Sequence, residues 1–139
     1  LIAHMPGLSI RMLSIGVGLS HAATVRLVDR LAAEGLVERR EHFTDGRTRS
    51  LYLTAAGKVA SDEVLSSRDE VSAEGLSSLS PDELKVLGAT AERVLRNRLE
   101  NLEHSYRICR LCCYEGCTNC PIDAELHERG VDRENSGEA

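Results

Sequence analysis

Residues 20–54 place a helix and two short β-prone runs in direct succession. Ser20 is a favourable N-cap residue, Gly35 is suited to a left-handed C-terminal cap, and no helix breaker lies between them. This pattern predicts a helix over residues 21–34. The runs 36–40 and 50–53 flank a polar loop with an Asp-Gly turn signal, which predicts a β-hairpin.

The predicted helix has two unlike faces at about 100° per residue. Its core face comprises Thr24, Leu27, Val28, Leu31 and Gly35. The opposite face is small and basic, with Ala22, Ala23, Arg26, Asp29, Arg30 and Ala33. A helix that lies deep in the major groove of DNA needs short side chains for close approach and arginines for base edges and phosphates. The second face therefore predicts DNA contact, whereas the alternative is an ordinary solvated charged surface.

The hairpin adds arginines beside this helix. Arg47 and Arg49 lie near its tip, where a loop next to a groove-reading helix can reach the neighbouring minor groove. Helix and hairpin together predict a winged helix-turn-helix. The predicted fold class is mainly α with a small β-hairpin wing, extended by long C-terminal helices.

Several segments of this region resemble the MarR family of bacterial transcriptional regulators. The matching segments are L-V-D-R-L at 27–31, E-G-L-V-E-R at 34–39, D-G-R at 45–47 and L-T-A-A-G at 53–57. The resemblance covers roughly positions 1–105. It implies a DNA-binding regulator, usually a repressor, that reads a pseudo-palindromic operator as a homodimer.

The resemblance also assigns roles to individual residues. Arg26 and Arg30 would lie on the recognition helix, and Arg47 would enter the minor groove with Asp45 orienting it. The full set of predicted DNA-binding residues is Ser20, His21, Ala22, Ala23, Arg26, Arg30, Asp45, Arg47 and Arg49.

The distribution of charge is compatible with this assignment. The net charge is −5, but residues 1–54 hold seven arginines against five acidic residues, so the acidic excess lies in residues 55–139. Local charge governs phosphate contact, so we expect modest non-specific affinity. With one Phe, three Tyr and no Trp, the chain lacks the stacking platforms used for single strands, which favours duplex DNA.

Composition predicts a cytoplasmic globular protein. A content of 42% hydrophobic and 28% charged residues is ordinary, and neither a membrane-spanning apolar run nor a signal-peptide pattern occurs. The first residue is Leu1, so we interpret the sequence as a fragment in which residues 1–7 end an apolar helix. In the MarR family an earlier helix contributes to the dimer interface.

Three further helices are predicted from caps and periodicity. Ser9 caps a short helix over 10–17, and Thr54 caps a long, sparsely apolar helix that Gly75 would stop near residue 74. Ser80 and the proline after it start a helix that extends to about residue 103. Its apolar stripe consists of Leu84, Leu87, Ala91, Val94, Leu95 and Leu102. The stripe could pack within the chain, but the resemblance to the MarR family, in which this helix dimerises, implies a dimer interface.

The chain thus divides into four predicted regions. Residues 1–54 form the winged helix-turn-helix, residues 55–108 the connector and dimerisation helices, residues 109–123 a cysteine-rich motif, and residues 124–139 a polar tail expected to be disordered.

All five cysteines lie within twelve residues, at 109, 112, 113, 117 and 120. Without Cys113 they read C-x2-C-x4-C-x2-C, which predicts a zinc site of Cys109, Cys112, Cys117 and Cys120, although the four-residue gap is short. Cys113 would be a spare ligand or a reactive thiol. The alternatives are an iron–sulfur cluster, a thiol switch, or inert thiols. His104 and His127 flank the motif and could substitute as ligands, but the pattern favours ordinary surface histidines.

Two functional hypotheses follow for a DNA-binding regulator. In the first, an unidentified small molecule or oxidant binds between the DNA-binding head and the dimerisation helices. In the second, the cysteine cluster itself is the metal or redox input. A winged-helix protein-interaction module is a further alternative. An enzyme is not expected, because the sequence has no phosphate loop, no paired catalytic carboxylates and no Cys-His-acid arrangement, so no catalytic residues are assigned.

Overall fold

The computed structural model describes residues 1–41, 49–112 and 119–131. Its helices are α1 (Ile10–Val17), α2 (His21–Ala33), α3 (Ala55–Leu76), α4 (Pro81–Arg98), α5 (Leu102–Ile108) and α6 (Pro121–Glu128), and its strands are β1 (Val37–Glu41) and β2 (Arg49–Leu53). One turn of 3-10 helix, Cys109–Leu111, directly follows α5. The predicted fold class, mainly α with a β-hairpin, is confirmed.

Side-chain caps set the start of both helices of the helix-turn-helix. Ser9 Oγ accepts a hydrogen bond from the Met12 N–H at 3.2 Å, and Ser20 Oγ accepts one from the Ala23 N–H at 3.3 Å. The turn between the helices passes through Gly18 at φ +70°, a conformation that favours glycine. The predicted boundaries of α1 are confirmed, and α2 ends one residue earlier than predicted.

The hairpin is attached to the chain that precedes α1. In the hairpin, Val37 pairs with Leu53 and Glu41 with Arg49. The Gly7 N–H donates to the Leu51 carbonyl at 2.8 Å, and the Leu51 N–H donates to the Leu8 carbonyl at 3.0 Å. Residues 1–7 form successive turns with one helix-like bond, from the Met5 N–H to the Leu1 carbonyl at 2.9 Å.

A small apolar core lies between α1, α2 and the hairpin. Its buried residues are Ile2, Leu8, Leu13, Val28, Val37 and Leu51. Thr24, also completely buried, satisfies its hydroxyl by donating to the Ser20 carbonyl at 3.0 Å. Residues 1–41 and 49–53 therefore form a packed unit, here called the head.

Thr54 joins this head to α3. Its hydroxyl donates to the Gly35 carbonyl at 2.6 Å and accepts from the Gly57 N–H at 3.0 Å, while its own N–H donates to the Leu36 carbonyl at 3.1 Å. Gly57 is buried in this contact, because a β-carbon there would lie 1.9 Å from the Leu36 oxygen. The first turn of α3 is thus fixed to the backbone that links α2 with β1.

Beyond this junction, α3 and α4 are exposed on almost every side. Gly57 is the only buried residue of α3, and α4 has none. A capping box between Ser80 and Glu83 starts α4 as predicted. Gly75 was expected to stop α3, but the helix continues through Leu76, because an exposed mid-helix glycine costs only about 1 kcal/mol.

The C-terminal part differs from the prediction. Helix α4 ends at Arg98 and not near residue 103, because Leu99 takes an extended backbone conformation and buries its side chain. Leu102 therefore belongs to α5 and leaves the predicted α4 stripe. The tail expected to be disordered from residue 124 is helical through Glu128, and residues 132–139 lie outside the described residues.

Helix α6 forms because it has its own core. Ile122 and Leu126 bury against Leu99 and Cys109, so α6 packs on the end of α4. Helix α5 packs on α1, where Gly16 lets the Tyr106 backbone approach. No helix in the part of the chain that the structure describes is long and apolar enough to cross a membrane.

Two glycines of α3 provide a matched test of the junction. Gly57→Ala should destabilise the chain by about 1–3 kcal/mol, because the added methyl overlaps the Leu36 backbone. Gly75→Ala meets no atom within 4 Å and should stabilise the chain by about 0.5–1 kcal/mol through helix propensity. Urea unfolding followed by circular dichroism measures both changes, and equal effects of the two substitutions would contradict the proposed close contact.

Candidate nucleic-acid interface

Helix α2 separates a buried face from a free one. Thr24 and Val28 are 0% exposed, whereas His21, Ala22, Arg26 and Arg30 are exposed and Ala23 is half-buried. The predicted division of the helix into an inner apolar face and an outer small, basic face is confirmed within α2, but Gly35, which was assigned to the inner face, follows the helix and is exposed. The structure therefore leaves Ala22, Arg26 and Arg30 accessible on the outer face, and His21 is exposed at the N-terminal end of the helix.

The N-terminal turn of α2 is suited to an anion. It contains no acidic residue, and the capping Ser20 is exposed. Because unpaired N–H groups and the helix dipole make a helix N-terminus electropositive, this end can approach a phosphate. The Ser20 hydroxyl oxygen already accepts a hydrogen bond from the Ala23 N–H. The main role of Ser20 is therefore to fix where α2 begins.

An ion pair holds the hairpin against α2. Arg39 Nη2 on β1 lies 2.7 Å from Asp29 Oδ1 on α2, in a geometry that is an ion pair and not a hydrogen bond. On the same strand, the Arg40 guanidinium lies 4.5 Å from the centre of the Tyr52 ring and pairs with Glu38. Two hairpin arginines are therefore engaged within the protein.

The predicted wing contacts are only partly described. Arg49 is exposed at the start of β2, opposite Glu41. Asp45 and Arg47 lie outside the described residues, so their assignment as the wing pair stays a prediction.

A cavity of about 480 Å³ lies between the head and α3. Its walls come from the N-terminal turns, the end of β2, the start of α3 and the cysteine-rich segment, represented by Ile2, Tyr52, Lys58, Leu65 and Cys112. Both apolar and charged side chains line it. This is the position at which the sequence led us to expect an effector.

The cysteines that the structure describes belong to the apolar core of α6, here called the second core, which also contains Leu99, Ile122 and Leu126. Cys109 is buried, and the Cys112 N–H donates to the Cys109 carbonyl at 3.0 Å. Cys120 directly precedes α6; burial raises the pKa of its thiol, which the N–H groups of Asp123 and Ile122 partly oppose. Cys113 and Cys117 lie outside the described residues.

Neither flanking histidine joins these cysteines in a metal site within the described residues. His104 Nδ1 accepts the Glu100 N–H at 3.3 Å, and His127 is exposed near the end of α6. Over residues 1–41, 49–112 and 119–131, no three His, Cys, Asp or Glu side chains converge closely enough to hold a metal ion.

Comparison with known proteins decides the family. The sequence pattern of the MarR family matches residues 1–48. The chain is 31% identical over 101 residues to the HTH-type transcriptional regulator BilQ of Clostridium symbiosum (strain WAL-14163), a match that covers 73% of this chain and 70% of BilQ. The chain belongs to the MarR family of transcriptional regulators.

Solved structures of MarR-type proteins share the fold. A MarR-family regulator from Silicibacter pomeroyi aligns with a TM-score of 0.58 and 26% identity, over 73% of this chain and 68% of that one. FabT of Streptococcus pneumoniae, solved in complex with DNA, aligns with a TM-score of 0.58 and 18% identity, over 68% and 66% of the two chains. BilQ and the Silicibacter pomeroyi relative of this MarR-family chain are both transcriptional regulators.

Sequence reasoning missed the polar network that fixes α6 in this MarR-family protein. Glu125 accepts from Arg96 Nε at 2.9 Å and from Arg129 Nε at 2.8 Å, and Arg129 Nη1 donates to the Leu99 carbonyl at 2.8 Å. The signals were present in the sequence: a proline at the first helical position, Ile122 and Leu126 four residues apart, and a Glu–Arg pair at i and i+4.

This network predicts an acid-sensitive α6. Hydrogen bonds from Arg129 and Arg96 lower the pKa of Glu125 from its ordinary value of 4.5. Since the folded-state pKa lies below the unfolded-state value, the stabilisation is complete above pH 4.5 and is lost as the pH falls through the lower, folded-state pKa. Glu125→Gln should lower the free energy of unfolding near neutral pH. The free energy of unfolding of this variant should also decrease less than that of the wild type as the pH falls.

Urea unfolding across this pH range measures the effect. Glu63→Gln, on the exposed surface of α3, serves as a control for the loss of one surface charge. If the free energy of unfolding of Glu125→Gln and of Glu63→Gln both changed with pH as in the wild type, the network would not contribute to stability.

Proposed function

We propose that this MarR-family chain is a transcriptional repressor that reads a pseudo-palindromic operator in duplex DNA as a homodimer, in the cytoplasm. The observation that carries this proposal is the outer face of α2. It presents Ala22, Arg26 and Arg30 to solvent, while the inner face of the same helix anchors it in the head. FabT, whose structure is a complex with DNA, shares this fold, which supports the assignment.

The composition of this face suits the major groove. Ala22 and Ala23 next to the N-terminus allow the helix axis to approach the base edges. Arg26 follows one turn later, where a guanidinium can donate two hydrogen bonds to guanine, and Arg30 follows at i+4. The positive end of the helix would face the phosphate backbone at the groove edge.

Arg26→Ala should weaken operator binding by about tenfold or more, because one good arginine–base contact contributes about 1–3 kcal/mol. An operator duplex is obtained by selection from randomised DNA, and affinity is measured by fluorescence anisotropy at fixed salt. Arg98→Ala is the matched control, since it removes the same charge at the exposed end of α4.

The variants discriminate between a DNA reader and a protein-interaction module. A DNA reader loses affinity with Arg26→Ala and keeps it with Arg98→Ala. Failure of the selection to enrich any sequence, or unchanged affinity of a folded Arg26→Ala protein, would refute the proposed recognition helix.

Dimerisation is supported by the exposure of α3 and α4. Both helices are long, 22 and 18 residues, and neither is covered by the rest of the described chain. Apolar side chains on α4 are nevertheless solvent-facing; they include Leu84, Leu87, Val94 and Leu95, at 36–53% exposed. A second copy would bury this stripe and hold two α2 helices about one turn of DNA apart.

Two neighbouring apolar residues of α4 provide the test. Leu87 lies on the stripe, whereas Val86, 67% exposed, lies about 100° further around the helix. Leu87→Glu should raise the dimer dissociation constant by about a hundredfold, because burial of an unpaired carboxylate costs several kcal/mol. Val86→Glu should leave it unchanged.

Sedimentation velocity over a range of protein concentrations measures the dissociation constant. A wild-type chain that sediments as a monomer at all concentrations, or equal effects of the two substitutions, would argue against an interface on this stripe.

A further inference from the structure

The first two cysteines of the cysteine-rich segment bracket a single turn of 3-10 helix. The turn comprises Cys109–Leu111, and the Cys112 N–H closes it by donating to the Cys109 carbonyl at 3.0 Å. In a 3-10 helix a residue and the third residue after it lie on the same side, because one turn takes three residues. Cys112 keeps a near-helical φ of −74°, so its β-carbon lies on this side as well. The turn therefore presents the thiols of Cys109 and Cys112 in the same direction.

The spacing within this turn suits a disulfide. A rise of about 2.0 Å per residue separates the first and fourth Cα atoms of a 3-10 turn by about 6 Å. Disulfides join residues whose Cα atoms lie about 4.4–6.8 Å apart and whose β-carbons do not point away from each other. The pair can therefore be oxidised without a large movement of the backbone.

The two thiols differ in their access to solvent. Cys109 is 3% exposed and packs with Leu99, Ile122 and Leu126 in the second core. Cys112 is half-buried and lines the cavity of about 480 Å³ between the head and α3. A small oxidant that enters this cavity meets Cys112, whereas Cys109 is covered by the second core.

We propose that Cys109 and Cys112 form a thiol–disulfide couple whose oxidant is a small hydroperoxide that enters the cavity. The Cys112 thiolate attacks the O–O bond and becomes a sulfenic acid, and the leaving oxygen takes up a proton to give an alcohol or, from hydrogen peroxide, water. The Cys109 thiol then attacks the Cys112 sulfur, so that the S–S bond forms and the sulfenic hydroxyl leaves with the thiol proton as water. A dithiol reductant reverses the reaction by thiol–disulfide exchange. This inference goes beyond the proposed DNA-binding function and does not depend on it.

The couple lies between two contacts of the C-terminal segment. Before it, α5 packs on α1, where Arg107 Nε donates to the Ile15 carbonyl at 3.2 Å and Arg11 Nη2 lies 2.7 Å from Glu103 Oε1. After it, the second core packs α6 against α4. A disulfide would draw the Cys112 sulfur from the cavity wall towards the second core, so oxidation would change the surface that the C-terminal segment presents to the head.

Peptide mapping of the oxidised full chain provides the test, because trypsin cleaves between the two cysteines. Cleavage after Arg110 leaves Cys109 in peptide 108–110 and Cys112 in peptide 111–129. The chain is purified without a metal-affinity tag, reduced, treated with a chelator and then exposed to an equimolar amount of cumene hydroperoxide. We expect the loss of about two thiols per chain and one disulfide that joins the two peptides, and dithiothreitol should separate them.

Variants assign the two roles. Cys112→Ser should abolish the joined peptides, whereas the matched control Cys113→Ser, one residue further along the chain, should retain them. Cys109→Ala should leave a persistent sulfenic acid at Cys112, which dimedone should label about tenfold more than in the wild type. Circular dichroism before oxidation confirms that each variant remains helical.

Several results would overturn the proposal. Joined peptides that persist in Cys112→Ser would show that Cys109 pairs with another cysteine of peptide 111–129. A wild-type chain that retains all five thiols, at a hydroperoxide concentration that oxidises the amino acid cysteine, would show that the pair is not a redox couple. Zinc that resists the chelator and keeps both thiols reduced would make them metal ligands instead. Dimedone labelling of Cys109 in place of Cys112 would contradict the assigned order of attack.

Discussion

The contact between the start of α3 and the backbone of Leu36 is the constraint on which the arrangement of the chain depends. Thr54 bonds to Gly35, Leu36 and Gly57 in one compact set, and Gly57 leaves just enough space for the Leu36 carbonyl. Because α3 has no other buried residue, its direction away from the head is set at this first turn. The same backbone segment ends α2 and begins β1, so helix α2, hairpin and connector share one fixed point.

Two small apolar cores stabilise the parts of the chain that precede and follow helices α3 and α4. The core of the head packs against α2, and the core around Leu99 and Leu126 packs α6 against α4. Helix α5 packs on α1. Neither core covers the outer sides of α3 and α4. Helices α3 and α4 together contribute 40 residues of largely exposed helix between these two cores, and this exposure is the observation that supports the proposed homodimer.

Local signals in the sequence predicted much of this fold. Serine and threonine caps marked the helix starts, and the apolar periodicity of α2 separated its inner face from the outer one that carries Arg26. The end of α4 could not be predicted, because Leu99 leaves the helix to reach a core that exists only in three dimensions. The same core explains the unexpected α6. For Asp45, Arg47 and Cys117 the roles rest on sequence alone.

Gly16 of α1 lies in the contact with α5. A β-carbon there would lie 2.4 Å from Leu1 Cδ2 and 3.2 Å from the Tyr106 carbonyl oxygen. A methyl group would therefore require the end of the Leu1 side chain to move, and a larger side chain would push α5 away. A winged helix without an α5 in this position has no such restriction. Glycine or alanine at this position, together with a C-terminal cysteine motif, should therefore distinguish relatives that carry the same C-terminal appendage from those whose head ends in solvent.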